Sequence, residues 1–365
     1  MQKRGILLMT GIMSMSIILS GCFKGEQSIN EEMDPPKGQG AEQVDNLDNH
    51  SAKDEATDKK AEKGKKEEAT DQTVKRQLYL LDANGMVAPQ TVELPKADSM
   101  EVATQALEYL VKDGPVANVL PNGFQAVLPS GTEIKGLDLK DDGTLVVDVS
   151  KEFENYQADD ELKILEAMTY TVTQFDGVDK MKLEINGYPQ TEMPVNGTPI
   201  GDGYSRTNGI NLTQTDTVDL IDSKAVTMYY PTEYNNTKYF VPVTQHVAAD
   251  KSEDVFGAIV QALVNGPGYK VNAKQVFNSD TTLAAKPSLH DGVLDIKFNQ
   301  DILENKDKTT ISDDVIETLV RTLTEQKGVK AVNVKVEDVD KLFNENGEPY
   351  TEPVTEDMVT KTKEL

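Results

Sequence analysis

Leu110-Val111-Lys112-Asp113-Gly114-Pro115 and Leu263-Val264-Asn265-Gly266-Pro267 are two versions of one stop signal. Apolar residues lead into each at helical spacing: Ala103, Leu107, Leu110 and Val111 in the first, Val255, Ile259 and Leu263 in the second. That period marks a helix with one buried stripe. Glycine then takes the left-handed geometry that closes a helix, and proline, which lacks an amide hydrogen, cannot continue it. Upstream, Asp98 with Glu101 and Asp250 with Glu253 have capping-box spacing, the first side chain serving an amide inside the helix and the second reaching back. The sequence therefore predicts the same helix twice.

The duplication extends outward from these helices. Gln77 to Ile200 can be written over Thr227 to Tyr350 at an offset near 150. Leu78-Tyr79-Leu80 falls over Met228-Tyr229-Tyr230, and Asp142-Gly143 over Asp291-Gly292. Thr171 and Thr173 fall over Thr322 and Thr324, Gly177-Val178 over Gly328-Val329, and Asn196-Gly197 with Pro199 over Asn346-Gly347 with Pro349. The order is kept throughout, which is the mark of two tandem domains of one fold.

Each copy opens on a strand, Gln77 to Leu81 and Ala225 to Tyr230. A second strand is clear at Tyr239 to Val243, rich in β-favouring residues, and weaker around Met86 to Leu94. After the first helix come short strands and turns. Then an Asp-Gly pair, suited to a tight hairpin turn, leads into Thr144 to Val149 and Val293 to Phe298. A second helix spans about Asp160 to Gln174, with Leu162, Leu165, Ala167, Met168 and Val172 for the core. Its counterpart spans about Ser312 to Gln326, with Val315, Ile316, Leu319, Val320 and Leu323. A last strand alternates Met181, Leu183, Ile185 and Val332, Val334, Val336, one face buried and one wet. The expected class is α+β: two tandem copies of a small, mostly antiparallel sheet covered by two helices.

The N-terminus has a different character. Lys3 and Arg4 precede the uncharged run Gly5 to Leu19, which has the length of a secretory h-region and is short for a membrane span. It ends in Leu19-Ser20-Gly21-Cys22, which resembles a bacterial lipobox, with Cys22 the expected lipid attachment point. Cys22 is the only cysteine, so no internal disulfide can form. From Phe23 to Tyr79 there is no aromatic residue, and the mixed-charge block Lys59 to Glu68 has no apolar face. Such a segment cannot offset its ordering entropy and is expected to act as a disordered tether. About fifty flexible residues span roughly 40 Å. The expected division is 1–21 signal peptide, 22–75 tether, 76–206 first domain, 207–224 connector, 225–355 second domain and 356–365 polar tail.

Charge narrows the function. With 62 acidic and 37 basic side chains among 365 residues, the chain has a formal net charge of −25. Phosphate neutralisation needs clustered Lys and Arg, so nucleic acid is excluded as a partner. Anionic headgroups would repel the chain, so contact with a membrane falls to the lipid on Cys22.

The lipobox, the charged tether and the two repeats together resemble the GerM family of spore germination lipoproteins, and each repeat resembles a GerMN domain. The residues that carry the likeness are Leu110 to Pro115, Leu263 to Pro267, the Asp-Gly strand, and the Gly-Val after the second helix. The resemblance covers nearly the whole chain. It implies a role in sporulation and germination of endospore-forming bacteria. It also implies a ring-building kind of fold and a place in the channel assembly between mother cell and forespore. The implied partners are other channel or envelope proteins and copies of the chain in a ring.

No chemistry is legible in the sequence. His50, His246 and His290 lack a second histidine at metal-ligand spacing, and none has a counterpart in the other repeat. There is no Gly-x-Ser-x-Gly, no phosphate loop and no dinucleotide fingerprint. Asp159-Asp160 and Asp313-Asp314 fall at helix starts, where the dipole favours negative charge. Asp141-Asp142-Gly143 and Asn344-Glu345-Asn346-Gly347 share fragments with calcium loops but lack the remaining ligands. No catalytic residue, metal or cofactor is expected. Glycan binding is the second reading, resting on the expected place of the protein near peptidoglycan and on the capacity of tyrosines to stack on sugars; the chain has no tryptophan, and Tyr229, Tyr230, Tyr234 and Tyr239 fall in strand-like stretches where core packing accounts for them.

Overall fold

The computed structural model describes residues 73–97, 101–115, 119–213, 222–248, 255–268 and 271–361. The signal peptide, Cys22 and its lipobox, nearly all of the tether, and the cap residues Asp98, Asp250 and Glu253 lie outside the described residues.

The first repeat begins with the hairpin β1 (Thr73–Leu81) and β2 (Val87–Pro95), paired antiparallel from Thr73↔Pro95 to Leu81↔Val87. The weak second strand of the sequence is thus a full partner. Helix α1 (Val102–Glu108) follows. Strand β3 (Ile134–Leu139) pairs antiparallel with β4 (Thr144–Val149), and β4 pairs parallel with β5 (Lys180–Ile185). Helix α2 (Glu161–Val172) makes the crossover between the parallel strands. The short strands β6 (Tyr188–Gln190) and β7 (Tyr204–Ser205) complete the sheet against β5.

The second repeat reproduces this order. Hairpin β8 (Ser223–Tyr234) and β9 (Thr237–Ala248) is longer than the sequence suggests. Helix α3 (Val255–Asn265) follows, then β10 (Ser288–His290), β11 (Val293–Phe298), α4 (Asp313–Thr324) and β12 (Ala331–Val336). Here too β10–β11 is antiparallel and β11–β12 parallel. The last described element is α5 (Glu356–Lys361), within the stretch expected as a polar tail; α5 packs on α4.

The α+β class holds in both copies, with two additions. The central strand pair of each sheet is parallel, as a helical crossover requires. The hairpin forms its own two-stranded sheet, so α2 and α4 each touch a hairpin on one side and the sheet on the other. Both helices are accordingly buried around most of their circumference. Two threonines make this possible. Thr171 Oγ1 accepts the Tyr79 amide and Thr322 Oγ1 accepts the Tyr229 amide, each at 3.0 Å. A buried strand amide that β-pairing leaves open is thereby satisfied.

The two stop signals behave differently. In α3, Gly266 takes φ 90 and its amide returns to the Ala262 and Leu263 carbonyls, as expected. In α1 the helix ends at Glu108, before Gly114, and the left-handed residue is Asp113 at φ 60. The Leu110 carbonyl accepts the amides of Val127 and Leu128, which draws the chain out of the helix. Leu162, expected in the core, is 37% exposed, and Val334 is only half-buried. The other stripe residues of α2 and α4 named above are buried. Each buried leucine, isoleucine, valine or methionine among them contributes about 1.5–3 kcal/mol. Buried apolar side chains form one continuous cluster through both repeats.

Candidate functional surfaces

The feature that organises the molecule lies between the repeats. Asn211, in the connector, adopts φ 48, a left-handed conformation that asparagine tolerates better than most residues. Its Oδ1 accepts the Val87 amide at 2.9 Å, and its Nδ2 donates to the carbonyls of Val87 at 2.7 Å and Pro242 at 2.8 Å. Val87 belongs to β2 and Pro242 to β9, so one side-chain amide joins the two hairpins edge to edge. The neighbouring Ile210 exchanges amide and carbonyl bonds with Thr244, its amide meeting Oγ1 and its carbonyl the Thr244 amide, both at 2.9 Å.

Side chains extend this seam in both directions. The Tyr239 hydroxyl donates to Asp82 Oδ2 at 2.8 Å, and its ring meets Phe124 edge-on at 4.8 Å between centroids. Burial pushes the Tyr239 phenol upward, which keeps it a donor. Gly123 is left-handed, and a side chain there would run into the Tyr234 ring. Asn272 donates to Asn84. At the other end Arg206 lies over the Tyr170 ring at 4.7 Å and the Tyr79 ring at 5.9 Å, and stands 3.6 Å from Glu325. Glu325 also accepts the Tyr229 hydroxyl. The cation is thus held between aromatic faces of one repeat and a carboxylate of the other.

Behind the connector is a buried acid. Glu166, on α2, is 1% exposed and one of its oxygens has no partner. Burial pushes its carboxyl up to about 7, with the Asn211 amide and Lys163 acting in the opposite direction. Its counterpart on α4, Glu317, pairs with Arg321 at 2.8 Å. The first repeat has Tyr170 where the second has Arg321, so Glu166 has no such cation.

The residues singled out from sequence do not converge. His246 lies within β9, not beyond it, with Nδ1 3.1 Å from Ser223 Oγ. His290 ends β10 at the Asp291-Gly292 turn. Asp159 and Asp160 occupy a 3₁₀ turn before α2, and Asp160 makes no side-chain cap bond. Asp313 and Asp314 sit in the first turn of α4, whose cap is Ser312, bonded to the Asp314 amide. Asp142 accepts the Thr144 amide, and Asn344 accepts the amides of Asn346 and Glu348, as turn residues do. Among the described residues no three His, Cys, Asp or Glu side chains come together in a metal-sized group. Tyr229, Tyr230 and Tyr239 are buried and Tyr234 half-buried, so these tyrosines belong to the core and the seam, as their strand-like stretches imply. No described helix is long and apolar enough to cross a membrane. The seam residues Asn211 and Arg206 were missed in the sequence; the polar connector and the residues just before it gave no periodicity to flag them.

Two copies of one α+β domain, sharing a core and joined through a connector, define a tandem-domain protein. Known proteins place it further. A family model described as Germane, sporulation and spore germination, matches residues 77–191 and again 227–341. The spore germination protein GerM of Bacillus subtilis strain 168 is 43% identical over 346 residues, covering 93% of each chain. The solved tandem GerMN domains of Bacillus subtilis GerM match with a TM-score of 0.71 and 45% identity, over 78% of this chain and 97% of theirs. The chain belongs to this family of sporulation and spore germination proteins.

Proposed function

We propose that the chain is a non-enzymatic structural lipoprotein, a component of the assembly that joins mother cell and forespore, and that it works through protein–protein contacts of its two GerMN domains. In this reading the lipid on Cys22 anchors it to the outer leaflet of the cell membrane, with the folded part outside the cytoplasm. The carrying observation is the seam: Asn211, Tyr239–Asp82 and Arg206–Glu325 make the two domains one presentation unit, and alternate residues of their sheet strands, among them Lys182, Glu184, Asp295 and Lys297, stay partly or fully exposed. A shaped body of this kind suits assembly, and tethering supplies local concentration that can offset weak contacts. The burial of Tyr229, Tyr230 and Tyr239 supports assembly over glycan binding, the second reading.

Sporulating cells provide the test. Cys22→Ser should lose metabolic fatty-acid labelling and partner recovery together. Single replacements of His246, His290, Asp159 and Asp160 should be tolerated, while bulky charges on an exposed sheet face should abolish partner recovery and sporulation. A conservative His or Asp change that stops sporulation, with folding, abundance and partner recovery intact, would refute the proposal.

A further inference from the structure

The second repeat holds a cavity that the first repeat fills. It has a volume of about 430 Å³, within the roughly 300–1,000 Å³ of ligand pockets. Its floor includes Ile316 and Val354 and its wall Met358 of α5. Val354 pairs across to Val332 of β12, and the equivalent pairing in the first repeat joins Tyr204 to Met181 of β5. Val354 and Tyr204 are therefore the same position. Tyr204 is 4% exposed and lies beside Tyr170 and Glu166, the counterpart of Glu317, which lines the cavity. One copy thus plugs the space with an aromatic ring, and the other leaves it open behind a valine.

The open cavity is lined by carboxylates. Asp313, Glu317, Glu345, Glu348 and Glu352 face it, with one lysine, Lys238. That lysine pairs with Asp314, and Glu317 pairs with Arg321. Asp313, Glu345, Glu348 and Glu352 have no ion pair with a described lysine or arginine. Burial raises the Asp313 carboxyl, and the neighbouring Glu345 adds to the rise; the Glu345 amide, the Tyr350 hydroxyl and Lys238 offset it only in part. The acids are also too dispersed to form a metal-sized group among the described residues. Dispersed negative charge around an apolar floor is complementary to a chain that carries several separated cations on aliphatic stems.

We propose that this cavity is a docking site for a lysine-rich, amphipathic segment of a partner protein, with lysine stems on Ile316, Val354 and Met358 and ammonium groups at Asp313, Glu348 and Glu352. The choice of a protein occupant rests on the assembly reading above, but the cavity is tested separately, by binding in solution and without cells.

The experiment uses the full chain and a fluorescent, end-blocked peptide of alternating lysine and leucine, read by anisotropy. Binding should appear at low salt and weaken as salt screens it. Val354→Tyr, which copies the plug of the first repeat, should abolish binding. Glu348→Gln with Glu352→Gln should weaken it about tenfold or more; this pair carries the test if the tyrosine variant fails to fold. Glu133→Gln with Asp141→Asn, an equal charge removal in the first repeat, should leave it unchanged. The proposal is overturned if the peptide does not bind, if the first-repeat pair weakens it equally, if a glutamate-leucine peptide binds as well, or if calcium chloride alone occupies the site with the same dependence on the variants.

Discussion

Glu166→Gln isolates the cost of one buried acid. In the native protein the Glu166 carboxyl is pushed up to about 7 by burial, from an ordinary value of 4.5. Between those values the folded state holds a proton that the unfolded chain releases. Stability therefore falls as pH rises through this window, and the full cost is present above about 7. At about 1.4 kcal/mol per pH unit, the cost amounts to about 3 kcal/mol. Glutamine has the same shape and its carbonyl can keep the Asn211 amide bond. Its NH₂ would meet the place where the glutamate oxygen finds no partner, which costs about 1 kcal/mol. The variant should match or fall slightly below the native protein at pH 5 and exceed it by about 2 kcal/mol at pH 8. Urea melts followed by circular dichroism at both pH values measure the difference. Other acids raised by burial, Asp313 and Glu356, are common to both proteins and cancel in the comparison. A native-minus-variant difference that does not change between pH 5 and pH 8 would show that Glu166 titrates normally and that the burial argument is wrong.

Three further predictions concern how the repeats hold together. Asn211→Ala removes three hydrogen bonds and puts at φ 48 a residue that tolerates the left-handed region less well than asparagine, so it should destabilise by about 2–4 kcal/mol; Asn211→Gly, free of the backbone cost, should lose about 1 kcal/mol less, and equal losses in urea melts would count against the backbone cost. Thr171→Val and Thr322→Val each strand a buried amide and should each cost about 1–3 kcal/mol; if only one is costly by thermal melt, the two helices are not equivalent in the way described. Residues 76–206 alone should give a dispersed amide spectrum and a cooperative melt, at a lower midpoint than the whole chain, because Phe124 and Val87 lose their seam partners; an equal midpoint would mean the seam contributes nothing.

The duplication, the helices and the sheet strands were legible because period and punctuation survive in both copies. What was not legible has specific causes. Thr171 and Thr322 look polar, so the helices read as one-sided, whereas their hydroxyls serve as acceptors inside the second face. The early end of α1 depends on Leu110 bonding to Val127 and Leu128, a tertiary contact that no local motif announces. Strands β8 and β9 outrun their apolar stretches because each residue pairs with the other strand, from Ser223↔Ala248 to Tyr234↔Thr237. The seam is the largest omission. Asn211 is one of two asparagines in a connector without periodicity, and only the approach of two hairpin edges gives its amide three hydrogen bonds.

The joint between loop and second helix shows how the two copies keep one geometry with different residues. In the first repeat the acid is on the helix: Glu161 accepts the amides of Val195, Asn196 and Thr198. Burial alone would raise its carboxyl, but hydrogen bonds from Asn196, Thr198 and the Tyr156 hydroxyl outweigh burial and hold it below the usual range. In the second repeat the acid is on the loop: Glu345 accepts from the Ser312 hydroxyl and the Asp313 amide. Either arrangement ties the loop to the helix start with charge-assisted bonds. Selection for the joint leaves a carboxylate somewhere in the pair without fixing which element carries it. Acidic residues near these helix starts therefore track a mechanical need, and their clustering in the sequence is no sign of chemistry. The same freedom distinguishes the copies at the next position along. The first repeat buries Tyr204 and routes the chain into the seam through Arg206. The second places Val354 there and routes the chain into α5, leaving its loop acids around an open cavity. The seam draws residues from both repeats, and the cavity lies in the second.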